Sequence, residues 1–244
     1  MNAIETRGLV KRYKEVTAVN GLDLSIREGE LFALLGVNGA GKTTTVKMLT
    51  GLIRPTEGDA LVCGHSIRKE PEAARAAVDV SLQETAVARQ LTVAENLAFY
   101  AALNGQSKSE AAENSARVCA AFGLDQVMDR KAGKLSGGWQ RKLSISLALV
   151  SRPKVLFLDE PTLGLDVLAR RDLWKIIREL KKEMTVVLTT HYMEEAQALA
   201  DRIGIMKNGS LLFVGTREEL YGETGKTTVE DAFVALAEGG TDRA

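Results

Sequence analysis

Residues 31–43 read LFALLGVNGAGKT, and the chain continues from Lys42 as KTTTVKML before reaching Gly51. Leu31 to Leu35 is an unbroken apolar run, which suits a strand covered on both faces; a strand with one wet face alternates instead. Lys42 to Leu49 then reads as a helix that Gly51 stops. A buried strand, a glycine-rich turn and a helix, in that order, begin a layered α/β fold with a mainly parallel sheet.

Two further apolar runs repeat the strand signal, Val155 to Leu158 and Thr185 to Leu188, with an amphipathic helix at Leu168 to Leu180 between them. Parallel strands joined by a crossover helix are the economical reading. The first segment differs. Ile4 to Tyr13 and Ala18 to Ile26 alternate apolar and polar residues around Lys14-Glu15, as antiparallel strands with one solvated face do. From about Gln83 to Ser151 strand signals vanish, and alanine- and glutamate-rich helical patterns run over Val93 to Leu103, Ser109 to Phe122 and Gly138 to Val150. The tail carries two short strands around Asn208-Gly209 and helices near Arg217 to Tyr221 and Val229 to Leu236. The expected organisation is one domain over residues 1–238. Residues 1–82 and 152–215 form the α/β core with an N-terminal antiparallel β subdomain, 84–150 an inserted α-helical subdomain, and 216–238 C-terminal helices; 239–244 are expected to be a flexible tail.

Composition sets the outer bounds. The 244 residues carry 32 basic and 32 acidic side chains, a formal net charge of zero, with 45% hydrophobic and 26% charged residues. Such a chain can build one substantial core without disulfide or metal staples, and it is neither fibrous nor largely disordered. Charge balance disfavours nonspecific nucleic-acid binding driven by a basic whole-chain field, so no nucleic-acid partner is expected. Cys63 and Cys119 form no C-x-x-C pair and read as reduced thiols. No secretory signal is visible at the N-terminus, and no apolar run approaches the roughly 20 residues that span a bilayer.

Residues 36–43, GVNGAGKT, match the P-loop pattern G-x-x-x-x-G-K-[ST]. Gly36, Gly39 and Gly41 permit backbone angles and approaches denied to other residues. The N–H groups across Gly36, Val37, Asn38, Gly39, Ala40 and Gly41, and on through Lys42, Thr43 and Thr44, can therefore wrap phosphate oxygens at a helix N-terminus. Lys42 can reach the β and γ phosphates of a nucleotide, and the Thr43 hydroxyl is placed to ligate Mg²⁺. The matching carboxylates lie at the end of another buried strand, VLFLDE at 155–160: Asp159 for the Mg²⁺ shell, Glu160 to polarise an attacking water. The alternative for this pair is a cap on the turn at Pro161.

Residues 135–140, LSGGWQ, place Ser136 as a helix N-cap with Gly137 and Gly138 leaving the first amides uncovered. This is either a loop before a helix or a second anion site. One nucleotide has one γ phosphate, so a second such site makes sense if it serves a nucleotide held by a second copy of the chain.

The set GVNGAGKT, Gln83, LSGG, VLFLDEP, TLGLD and His191 after a buried strand resembles, over nearly the whole chain and in order, the ATPase subunit of ATP-binding cassette transporters. The resemblance implies a P-loop NTPase core and ATP with Mg²⁺ as cofactors. It implies that Tyr13 stacks on adenine, where an ordinary strand aromatic is the alternative, and that Gln83 senses Mg²⁺ and the attacking water, where a surface glutamine is the alternative. Asp166 would communicate between the two sites or cap a helix. His191 would touch the γ phosphate and orient the catalytic carboxylate, or serve as a structural hydrogen bonder. His65, in CGHS, reads as a surface turn residue. Two positions depart from the family pattern: Trp139 stands where glutamine is usual, and Leu163 where a small polar residue is common. Neither removes a phosphate ligand.

The resemblance further implies partners: a second copy arranged head to tail around two MgATP, and a separate transmembrane permease subunit docking near residues 83–100. A wholly internal helix face is the alternative for Leu97, Phe99 and Tyr100. The protein is thus expected at the cytoplasmic face of a membrane, held there by the permease. The stretch TTHYMEEAQALADRIGIMKNGSLLFVGTREEL with the short tail TVEDAFVALAEGG resembles the drug, antibiotic and polysaccharide export branch. An importer ATPase and a soluble cassette ATPase are the alternatives.

Overall fold

The computed structural model of the chain describes residues 1–239. Two long strands, β1 (Asn2–Tyr13) and β2 (Val16–Arg27), pair antiparallel. They are followed by β3 (Leu31–Leu35), α1 (Lys42–Leu49), β4 (Glu57–Val62), β5 (His65–Ser66), α2 (Pro71–Ala76) and β6 (Val78–Ser81). Helices α3 (Val93–Leu103), α4 (Lys108–Phe122) and α5 (Gly137–Val150) come next, with single 3-10 turns at Leu124–Val127 and Ala132–Lys134. The chain then alternates β7 (Val155–Asp159), α6 (Val167–Leu180), β8 (Thr185–Thr190), α7 (Met193–Leu199) and β9 (Arg202–Lys207), and ends with β10 (Ser210–Gly215), α8 (Arg217–Thr224) and α9 (Val229–Gly239). The tail expected at 239–244 falls outside the described residues except for Gly239, which closes α9.

Two sheets result. One is antiparallel, in the order β2-β1-β4-β5; the other is six-stranded, β10-β9-β3-β8-β7-β6, parallel except where β10 joins β9. The fold is the expected α/β one, with a mainly parallel sheet, an antiparallel β unit from the N-terminus and a helical stretch inserted between β6 and β7. The apolar runs are explained by two cores. Leu31, Ala33 and Leu35 of β3 and Leu156 and Leu158 of β7 pack with α5, α6 and α7, while Phe32, Leu34 and Phe157 pack with α1 and the antiparallel sheet. Successive strand residues point to opposite faces, so both must be apolar when both faces are covered. Val93, Leu97, Val118 and Phe122 of the inserted helices join the first of these cores.

Helix starts follow from local chemistry. Thr92 and Glu95 form a reciprocal capping box at α3, as do Ser107 and Glu110 at α4 and Thr216 and Glu219 at α8. Sequence reading missed β4, β5, α2 and β6: they are short or half-buried, and their alternation is too brief to register. His65, expected in a turn, lies in the two-residue β5 opposite Val62, with Nδ1 3.2 Å from Glu70 Oε1.

Candidate functional site

The carboxyl ends of β3, β7 and β8 converge because the strands are parallel neighbours; Leu35 pairs with Thr190, and Asp159 with Thr189. Everything that leaves these strand ends is gathered into one place. The loop from Gly36 to Gly41 leaves β3 and turns into α1, whose N-cap Gly41 has φ +107°. A Cβ on Gly41 would lie 2.4 Å from the Ala18 carbonyl oxygen, and one on Gly36 would lie 2.5 Å from that of Met206. Val37, Asn38 and Gly39 are exposed at the loop's mouth, whereas Ala40 is buried. Thr44 sits half-buried in the first turn of α1.

Lys42 is only 5% exposed. Its ammonium donates to the carbonyl of Gly36 at 2.7 Å and that of Val37 at 3.3 Å, and lies 3.4 Å from Glu160 Oε1. Thr43 Oγ1 donates to Asp159 Oδ1 at 3.1 Å, and Thr189 Oγ1 donates to the same oxygen. Asp159 Oδ2 is buried with no hydrogen-bond partner. Glu160 is buried and non-glycine yet has φ +49°, a left-handed backbone that ordinary residues avoid. Its amide donates to Thr189 O at 3.1 Å and to Thr189 Oγ1 at 3.2 Å, and its Oε2 meets His191 Nδ1 at 2.8 Å. The imidazole packs on the Tyr192 ring, centroids 4.1 Å apart. Lys42, Thr43, Asp159, Glu160 and His191 are therefore one contiguous cluster, in which a buried carboxylate sits between a cation and an imidazole.

Other residues singled out from the sequence stand apart from this cluster. Tyr13 is exposed at the end of β1, with Lys11 Nζ 5.0 Å from its ring centroid. Gln83 is exposed just after β6 and makes no side-chain hydrogen bond among the described residues. Ser136 is the N-cap residue of α5, but its side chain makes no capping bond, so the first-turn amides stay open. Ser136 and Gly138 line a shallow recess of about 310 Å³ with Trp139, Lys142, Asp166, Leu168, Ala169 and Asp172, none of them from the P-loop. Asp166 caps α6, accepting from the amides of Leu168 and Ala169 at 2.9 Å.

Two polar residues beneath the cluster had no sequence signal. Arg141, on α5, donates to the carbonyls of Asp159, Pro161 and Leu82 and is 4% exposed; burial draws its guanidinium down to about 10. Glu195, in the first turn of α7, is fully buried and accepts from Trp174 Nε1 at 3.0 Å. Desolvation raises its carboxyl above the ordinary range. Within LSGGWQRK and HYMEE a buried charge looks like any surface one.

Comparison with known proteins agrees with this geometry. The sequence family described as ABC transporter matches residues 19–163. The chain is 43% identical over 228 residues to the daunorubicin/doxorubicin resistance ATP-binding protein DrrA of Streptomyces peucetius, covering 93% of this chain and 69% of that protein. It is 37% identical over 227 residues to the linearmycin resistance ATP-binding protein LnrL of Bacillus subtilis, covering 93% and 73%. Other relatives, ABC transporter A family members of Arabidopsis thaliana and Dictyostelium discoideum among them, are much longer, and this chain spans 12–24% of their length. Among solved structures, an ATP-binding subunit of an ABC transporter superposes with TM-score 0.86 at 28% identity, covering 96% of this chain and 99% of that one. The chain belongs to the ABC transporter family, and it is an ATP-binding ATPase subunit of that family.

Proposed function

We propose that the chain hydrolyses MgATP only as a pair, two copies closing head to tail around two nucleotides to drive export through a separate membrane subunit. The observation that carries this reading is the separation of the two anion sites. The Lys42–Glu160–His191 cluster lies at one group of strand ends, while Ser136 and Gly138, which flank Gly137 at the open start of α5, line another recess with no P-loop residue. Each copy thus offers half of a phosphate cage, and ATP favours the closed pair because it touches both.

Residues Gly36, Val37, Asn38, Gly39, Ala40, Gly41 and Thr44 frame the phosphate cradle, with Tyr13 against the base. Asp159 Oδ2, buried and unpartnered beside the Thr43 hydroxyl, fits a hard divalent cation, which takes oxygen ligands. Mg²⁺ held by Thr43 and Asp159, and sensed by Gln83, would spread the charge that builds on the phosphate oxygens. Lys42 balances the same charge from the loop. Glu160 takes a proton from the attacking water, and His191, bonded to Oε2, fixes the carboxylate's orientation. Asp166 carries the state of one site toward the other from the cap of α6.

The permease is assigned to the outer side of residues 83–100, where Phe99 is 47% exposed, while Val93, Asn96 and Leu97 of the same stretch face the core. Among the described residues no helix is long and apolar enough to cross a membrane; in this reading the permease supplies the spanning element and holds this subunit at the cytoplasmic face. Export follows the names of the two resistance proteins quoted above. The same reading keeps 1–82 with 152–215 as core and β subdomain, 84–150 as the helical subdomain and 216–238 as C-terminal helices.

Glu160→Gln tests the catalytic assignment. Turnover should fall by about 10²–10⁴ while ATP binding persists and a closed dimer accumulates, read by phosphate release and light scattering. Near-normal turnover rejects Glu160 as the base.

A further inference from the structure

We infer that Arg141 is a positioning residue that brackets Glu160, clamping the backbone on both sides of the proposed base and tying it to the helix that carries Ser136–Gly138. The bracket is literal. The guanidinium Nη2 donates to the carbonyl of Asp159, immediately before Glu160, at 2.8 Å, and Nε donates to the carbonyl of Pro161, immediately after it, at 2.8 Å. The remaining nitrogen, Nη1, donates to the carbonyl of Leu82, the residue before Gln83, at 2.6 Å.

Three features make this more than a buried arginine filling space. Glu160 has φ +49°, and a non-glycine residue keeps such a backbone only where its surroundings enforce it. The enforcement comes from two sides: Thr189 takes the Glu160 amide, and Arg141 takes the flanking carbonyls. Second, all three bonds go to backbone oxygens and none to a carboxylate, so the charge is spent on holding main chain; Asp159, Glu160 and Glu195 balance it through space. Third, Arg141 lies one turn into α5, whose N-terminus is Ser136 and Gly137. A rigid planar fork with several donors can hold three carbonyls in fixed relation; a lysine ammonium on a flexible stem cannot.

The consequence is a link inside one chain. Under the paired-site reading on which this inference rests, the start of α5 meets the other copy's nucleotide. A shift of α5 on closure is then passed by Arg141 to the peptides around Glu160 and to the carbonyl preceding Gln83, so each copy's own base is set by its contact with its neighbour's ATP. Arg141 touches no substrate and acts through Glu160.

The test is a double-mutant cycle on the full chain between Arg141→Lys and Glu160→Gln, with Arg141→Gln as a second variant that keeps an amide donor should the lysine fail to fold. Thermal unfolding confirms that each variant is folded. Arg141→Lys should lower kcat at least tenfold with KM for ATP within about twofold. In the Glu160→Gln background the same change should cost less than twofold in single-turnover hydrolysis, because the group that Arg141 positions is already gone. Equal fractional losses in both backgrounds, or a rise in KM matching the fall in kcat, would show a general packing role and overturn the inference. Unimpaired turnover of Arg141→Lys beside an inactive Glu160→Gln overturns the bracket alone, whereas near-normal turnover of Glu160→Gln overturns the catalytic reading and the bracket with it.

Discussion

Glu160 shows how a single residue can be positioned against its own preference. Its left-handed backbone costs on the order of 1–3 kcal/mol, offset by amide bonds to Thr189 and an ion pair with Lys42. The P-loop solves the same steric problem with glycine, and two of its glycines separate the causes. Gly39 has φ +82° with open space where a Cβ would stand, whereas Gly41 combines φ +107° with the Ala18 carbonyl 2.4 Å from that point. Gly39→Ala should therefore cost only backbone strain, about 1–2 kcal/mol. Gly41→Ala must also push β2 away from α1, so it should destabilise by more than Gly39→Ala and abolish nucleotide binding. Denaturant unfolding with a fluorescent ATP analogue checks both. The P-loop and the Asp159-Glu160 pair were legible in the sequence because their residue types are dictated by local chemistry. Arg141 was not, since what makes it special is the burial of α5 against Leu82 and Pro161, contacts 59 and 20 residues distant.

Among the elements, α6 and α7 are joined by a buried polar contact. Trp174 of α6 donates its indole N–H to Glu195 of α7, whose second oxygen has no geometric partner although Thr162 and Thr190 lie close enough to influence its ionisation. Desolvation is the largest influence and raises the Glu195 carboxyl, so the folded state holds that proton more tightly than the unfolded chain does. The contribution to stability is then fully present below the ordinary glutamate range and is lost as pH rises through the raised folded value. Glu195→Gln keeps an acceptor for Trp174 and removes the ionisation. Its melting temperature should gain on that of the parent as pH increases from 5 to 8, and a constant difference across that range would remove Glu195 as the titrating group. The same elements show where sequence reading stopped. Helices α3 and α6 were visible through their helical residue patterns; β4 (EGDALV) begins with Glu57-Gly58-Asp59, which reads as a turn, and β6 (VDVS) is a four-residue edge strand with no fully apolar run.

Across the whole molecule, an apolar surface borders the open amides of α5. Leu168, 75% exposed, shares its recess with Ser136, Gly138 and Trp139, and Leu163 and Val167, 38% and 55% exposed, precede it where β7 leads into α6. Isolated exposed leucines are ordinary, but apolar residues beside the proposed second phosphate site mark a surface that gains by being covered. If two copies close around ATP, this is the rim they bring together, and Trp139, one of the two departures from the family pattern, lines it. A charge there should oppose closure without touching the fold, because Leu168 contributes little to the core and exposed substitutions usually change stability by less than about 0.5 kcal/mol. In the Glu160→Gln background, which should hold ATP and turn it over far more slowly, the chain should elute as a dimer with ATP. Adding Leu168→Glu should return it to monomer while leaving the melting temperature and ATP binding to the P-loop unchanged. A variant that remained dimeric at the same ATP concentration would place the seam elsewhere on the surface, and a variant that lost ATP binding together with the dimer would show that the leucine supports its own P-loop instead of the neighbour's.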